Sequence, residues 1–251
     1  MTEGVDKHIL IRQRRIRYEV VGTGPAMLCL HGLNQRRDIF RTNRMQAALV
    51  GYQQILIDLP GYGESDFLDG CSVEDIAEII ETIRREEGLA SLSLCGYCLG
   101  SVFALDYAIR HPGHIDSLIL MECMIYMPLI IRLITVPLFK VLHDFFFGQA
   151  VKFGPLVGLL NWLHIFSPQQ LRTFNRVWNR EVNNYYLRML RRYEKLDHLK
   201  RAEAVRSKVV IVVAEKTYRK VLVTAKCLEQ ALRDSVILRL KGTGHLIYLD
   251  A

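Results

Sequence analysis

Long uncharged apolar runs are missing. Arg132, Lys140, Asp144 and Lys152 interrupt the greasiest stretch, so no membrane-spanning helix is expected. The first residues, MTEGVDKH, hold no apolar segment of the kind a cleaved export signal needs, which predicts a cytoplasmic protein whose thiols stay reduced. Of the six cysteines only Cys95 and Cys98 stand at C-x-x-C spacing, and no second pair completes a metal set. Neither a metal nor another cofactor is expected. Internal repeats and low-complexity tracts are also lacking. Acidic residues are the scarcer sign, 26 against 33 Lys and Arg for a net charge of +7, which favours anionic partners in general. The basic clusters at Arg12 to Arg17, Arg36 to Arg44 and Arg188 to Lys195 lack the interleaved aromatics or glycines of an RNA-binding module, so nucleic acid is not an expected partner.

What is present suits one α/β domain. With 251 residues, half of them hydrophobic, the chain can bury a full core without a second independent domain. HILIRQRRIRYEV alternates apolar with polar residues and breaks at Arg14 and Arg15, as two paired strands would. Short apolar runs then recur at 26–30, 54–59, 91–95, 117–121, 209–214 and 236–240. Runs apolar on both faces suit a parallel sheet covered by helices. Helical patterns lie between them at Arg37 to Val50, Val73 to Glu87, Leu99 to Arg110 and Lys220 to Arg233. The alternation predicts a mostly parallel, twisted sheet of about eight strands with helices on both faces. The rhythm fails only from Cys123 to about Arg206, where Leu, Ile, Phe and Arg fall at helical spacing. The domain expectation is therefore a core of 1–122 and 207–251 with a helical cap inserted at 123–206.

The strongest local signal is LCGYCLGS. A strand runs into Gly96-Tyr97-Cys98-Leu99-Gly100 and then into a helix, the G-x-nucleophile-x-G elbow. Such a turn is strained, and a Cβ at either glycine would collide with the strand or helix beside it. It places the Cys98 sulfur at a helix N-terminus, where the dipole and free N–H groups favour thiolate. Ser65 in PGYGES lacks this context, and Ser101 belongs to the following helix.

A strand followed by His31-Gly32, then DLPGYGES, then the elbow, then Gly244-His245 resembles the α/β-hydrolase superfamily, in the same order and over most of the chain. GYCLG is similar to the elbow of dienelactone hydrolases, and polyester synthases also use an elbow cysteine. The resemblance implies Cys98 as nucleophile, His245 as base and the backbone N–H groups of Leu33 and Leu99 as the oxyanion hole, with His31 structural. It also implies an acid after the run ending at Ala214, but Thr217 stands at that position, and a neutral hydroxyl cannot stabilise an imidazolium. Glu122, in a MEC segment similar to that of haloalkane dehalogenases, is the expected acid, with Glu215 in reserve. Dehalogenation itself is not implied, because Cys98 and Leu99 replace an aspartate and a tryptophan.

These residues predict an acyl hydrolase or thioesterase working through a thioester on Cys98. Its expected partner is a small acyl substrate, free, carrier-bound or CoA-bound. Acyl transfer to an acceptor other than water, and a non-catalytic binding protein on the same fold, are the alternatives. Tyr97, Phe146 and Trp162 are candidates for an apolar substrate pocket, and the greasy cap allows membrane contact without requiring it.

Overall fold

The computed structural model describes residues 4–126, 179–193 and 198–248. Eight strands form one sheet: β1 (Val5–Ile11), β2 (Arg14–Val21), β3 (Ala26–Leu30), β4 (Gln53–Ile57), β5 (Leu92–Tyr97), β6 (Ile115–Met121), β7 (Lys208–Lys216) and β8 (Ser235–Gly244), in the order β1-β2-β4-β3-β5-β6-β7-β8. β1 and β2 form an antiparallel hairpin and β2 meets β4 antiparallel. From β4 onward every pair is parallel. The carboxyl ends of β3 to β8 therefore share one edge, where open α/β sheets collect their chemistry.

The hairpin turns at Arg12 and Gln13, both left-handed at φ 49° and 63°, rather than at the expected Arg14 and Arg15. Two consecutive positive φ values match the twist of the flanking strands, which leaves Arg14 and Arg15 free to pair within β2.

The strands carry apolar residues on both faces, and each face builds a core. One holds Leu28, Leu94, Leu118, Ile211 and Val213 under three helices: α2 (Val73–Glu86), α3 (Leu99–Arg110) and α6 (Arg219–Ala231). α2 starts at a reciprocal Ser72–Asp75 capping box, which satisfies two N-terminal donors that the helix cannot. α3 is buried from Leu99 to Ile109, as its Ala, Leu, Val and Phe content requires. The other face holds Met27, Cys29, Leu56, Cys95 and Val212 beneath Ile39, Phe40, Met45 and Leu49 and beneath Leu246 to Tyr248.

The single helix expected from Arg37 to Val50 is two pieces, a 3-10 turn at Arg37–Arg41 and α1 (Asn43–Ala48). Thr42 is extended and its hydroxyl accepts from the Met45 N–H, so the residue caps a new helix instead of continuing the old one. Between β6 and β7 the described residues form α4 (Arg180–Tyr193) and α5 (His198–Ala202). α4 is fastened to the loop after β4: Tyr186 stacks on Tyr62 at 5.3 Å, and its hydroxyl donates to the Pro60 carbonyl at 3.0 Å. Phe146 and Trp162 lie outside the described residues.

Candidate active site

Cys98 joins β5 to α3 at φ 50° and ψ −108°, a left-handed position that a side chain adopts only under constraint. The constraint is visible. Its N–H donates to the Met121 carbonyl at 2.8 Å, and a Cβ on Gly96 would stand 2.5 Å from the Gly100 carbonyl oxygen and Ser101 Cα. A Cβ on Gly100 would run into the Leu30 carbonyl oxygen at the end of β3. The turn can close only with glycine at both flanks, and closing it leaves Cys98 partly exposed while most other cysteines are buried. Neither competing serine is available: Ser65 Oγ donates to the Asp58 carbonyl at 2.6 Å, and Ser101 Oγ to the Gly96 and Met121 carbonyls at 2.6 and 2.8 Å.

Glu122 follows β6 directly, is fully buried and is also left-handed, at φ 53°. The end of β7 fixes it. Its N–H donates to the Val212 carbonyl at 2.8 Å, Oε1 accepts from the Ala214 N–H at 2.6 Å, and Oε2 accepts from the Thr217 hydroxyl. Oε2 also meets His245 Nδ1 at 2.7 Å, so Nε2 is the ring nitrogen that Glu122 does not engage. Burial presses the His245 pKa down, but the hydrogen bonds and negative charge of Cys98 and Glu122 outweigh it and raise the pKa to about 9. The loop carrying His245 is held from behind by the Tyr97 hydroxyl, which donates to the His245 carbonyl at 2.6 Å.

The loop after β3 closes the other side. A Cβ on Gly32 would lie 3.1 Å from Cys98 Cβ, so this backbone packs directly on the elbow and brings Leu33 beside it. The Gly32 N–H donates to Gln35 Oε1 at 3.0 Å, and Gln35 Nε2 donates to the Tyr248 hydroxyl at 2.9 Å. Asn34, left-handed at φ 57° and buried, accepts at Oδ1 from Asn183 Nδ2 at 3.2 Å, while Asn183 Oδ1 accepts from the Tyr62 hydroxyl at 2.6 Å. Helix α4 thereby grips the same loop. Leu99 is the first residue of α3, where backbone N–H groups have no intrahelical acceptor.

His31 is fully buried, and its partners fix its tautomer: Nε2 accepts from the Leu59 N–H at 3.0 Å, so the proton on Nδ1 donates to the Gly32 carbonyl at 2.8 Å. Burial holds its pKa below the ordinary histidine value. Asp58 braces its own loop, accepting from the Arg37 N–H at 2.8 Å and the Glu64 N–H at 3.1 Å.

Two expectations need correction. Glu215 is exposed, and its Oε2 is committed to the Gly242 N–H at 2.7 Å, while His245 pairs with Glu122, so it is no reserve acid. Tyr97 is not a pocket wall. It is 1% exposed and points into the core beneath the His245 loop, because strand alternation sends it to the opposite side from its sequence neighbour. Sequence reasoning also missed Asn183, Gln35 and the Thr217 contact, all of which act across long separations. Only the hydroxyl at the family's acid position hinted at the last.

Among the described residues, one group could in principle hold a metal: Glu81, His111 and His114, with ligand atoms within 4.8 Å of one another. It sits at the far end of α3 from Cys98. The Glu81 carboxylate already accepts from Arg84, Arg85 and Tyr107, so guanidinium charge occupies the place a cation would take. No described helix is long and apolar enough to cross a membrane.

A mostly parallel sheet with an elbow cysteine and a histidine–carboxylate pair gathered at its carboxyl edge defines the α/β class of this protein. The chain belongs to the α/β hydrolase fold family, whose sequence profile matches residues 25–250. The AB hydrolase superfamily protein YisY of Bacillus subtilis is 30% identical over 106 residues, 41% of this chain and 40% of that protein. A pimeloyl-[acyl-carrier protein] methyl ester esterase of Shewanella woodyi is 29% identical over 101 residues, 40% of this chain. The matched part thus amounts to 40% and 37% of these relatives' lengths. Among solved structures, a hydrolase from Pseudomonas aeruginosa superposes with a TM-score of 0.77 at 13% identity, covering 96% of this chain and 91% of its own. A thioesterase domain from the curacin biosynthetic pathway gives 0.69 at 16% identity, covering 99% and 96%. At these identities the structural likeness speaks for the fold.

Proposed function

We propose that the protein is an acyl hydrolase of the esterase or thioesterase type, acting through Cys98, His245 and Glu122. The observation that carries this reading is the convergence of three strand ends: a strained thiol after β5, a histidine after β8 whose pKa is raised to about 9 by Cys98 and Glu122, and a buried carboxylate after β6 at 2.7 Å from that histidine.

In the reaction, the Cys98 sulfur attacks an ester or thioester carbonyl with its proton resting on His245. The carbon becomes tetrahedral, and the oxyanion is held by the Leu33 and Leu99 N–H groups, each worth about 10²- to 10³-fold in rate for donors of this kind. Collapse expels the alcohol or thiol, which leaves with the proton from His245, and a thioester remains on Cys98. His245, now neutral, takes a proton from water as the hydroxide attacks the thioester; the acid is released and the thiol is restored. Glu122 keeps its charge throughout and stabilises the imidazolium.

Because a thioester retains the activation of a thioester substrate, delivery of the acyl group to an acceptor other than water is the second reading, and the cysteine is what favours it over a serine-type site. The apolar cap, with Phe146 and Trp162, is the proposed source of the acyl pocket, and substrates borne on a carrier or CoA are included. Incubation with a panel of acyl thioesters, esters and lactones should give turnover and a transient mass increase of one acyl group, both lost in Cys98→Ala. A Cys98→Ala variant that turns over as fast as the wild type would overturn the proposal.

A further inference from the structure

Glu122 is clamped from one direction. Its backbone and both carboxylate oxygens are tied to β7 and the two residues around its end: N–H to the Val212 carbonyl, Oε1 to the Ala214 N–H, Oε2 to the Thr217 hydroxyl. The last contact matters because Oε2 is also the oxygen that His245 Nδ1 approaches. A fully buried carboxylate has no water to replace a lost donor, so its orientation depends on the hydrogen bonds the protein gives it. Thr217 itself is only half-buried and sits between exposed neighbours, Lys216 and Tyr218, so packing does not explain why its hydroxyl turns inward.

Resting on the Cys98 reading above, we propose that Thr217 is a positioning residue of the reaction, orienting the Glu122 carboxylate toward His245 and carrying part of its negative charge whenever His245 is neutral. The proton accounting follows. While His245 is protonated, the imidazolium neutralises Glu122 and the hydroxyl adds little. When His245 is neutral, as it must be to activate water, the buried carboxylate bears its full charge and the hydroxyl is, among the described residues, its one side-chain donor besides the ring. Removing the hydroxyl disfavours the neutral-histidine state, so the pair holds its proton to higher pH. Valine keeps the shape of threonine and lacks the donor; alanine lacks the donor without adding a branch; serine keeps it.

The test has two readouts, the pH dependence of deacylation and an NMR titration of the His245 ring, which needs no turnover. In Thr217→Val and Thr217→Ala, the acidic limb of deacylation and the His245 midpoint should both move up by about half a pH unit or more. Deacylation on the plateau should fall about 3- to 10-fold, the size of one ordinary hydrogen bond. Thr217→Ser should restore all three. A midpoint that stays or moves down in both donor-less variants, or a serine variant that behaves like them, overturns the inference. Wild-type protein that never acylates at Cys98 would defeat the mechanism instead, and the ring titration would still judge the Thr217–Glu122–His245 link.

Discussion

His31 and His245 stand at the ends of strands on the same edge of the sheet, and burial presses both toward the neutral form. They end in opposite states. His31 meets one backbone donor and one backbone acceptor, which suit a neutral ring, and its pKa is lowered. His245 meets a buried carboxylate and the elbow sulfur, and its pKa rises to about 9. Partners, not burial, decide which histidine is a brace and which can carry a proton between reactants. The stability linkage has opposite signs too. The raised value of His245 contributes stability in full below its unfolded value, and that contribution is lost as pH rises through about 9. The depressed value of His31 contributes above its unfolded value and is lost as pH falls through the folded one.

The contrast can be broken most severely at His245. Replacing it with Gln should lower the acylation rate by about 10³-fold or more, the scale seen when one member of a nucleophile–base–acid unit is removed, and should also lower the melting temperature at pH 7, because the buried Glu122 loses its cationic partner. Next, Glu122→Gln should cost about 10²- to 10⁴-fold in deacylation and bring the His245 NMR midpoint down toward the ordinary histidine range. If the midpoint stays near its wild-type value, the carboxylate is not what raises it. His31→Leu should differ from both. It strands the Leu59 N–H in the core, costing about 1–3 kcal/mol of stability in urea unfolding, while the His245 midpoint stays in place.

Smaller effects sharpen the same picture. With an ester substrate, acylation should decline as pH rises through about 9, because His245 then has no proton for the leaving alcohol. Tyr97→Phe removes the donor to the His245 carbonyl and should slow turnover by a few-fold, about 1 kcal/mol, with the histidine's partners unchanged.

Much of this arrangement is legible in the sequence, because its signals are local. A strand, a glycine and a helix within a few residues announce the elbow at Cys98, and runs apolar on both faces announce a parallel sheet whose loops share an edge. His245 is legible from the Gly-rich loop after the last strand. The acid is harder: Glu122 follows β6 and Glu215 stands at the end of β7, and it takes the burial and left-handed backbone of Glu122, and the pull of Gly242 on Glu215, to separate them. Contacts across long stretches of chain leave no local trace. Thr217 reaches Glu122 from the end of the neighbouring strand β7, and Asn183 reaches Asn34 from helix α4. Tyr97 shows the opposite failure, named as a pocket candidate but turned by strand alternation into the core. Thr42 shows that a continuous helical pattern can hide a cap.

The most direct measurement is peptide mapping of acid-quenched reaction mixtures. The account predicts an added acyl mass on the peptide containing Cys98, transient in the wild type, accumulating in Glu122→Gln because deacylation is slowed, and absent in Cys98→Ala. An acyl group on any other residue, or turnover with no adduct on Cys98 in Glu122→Gln, would contradict it.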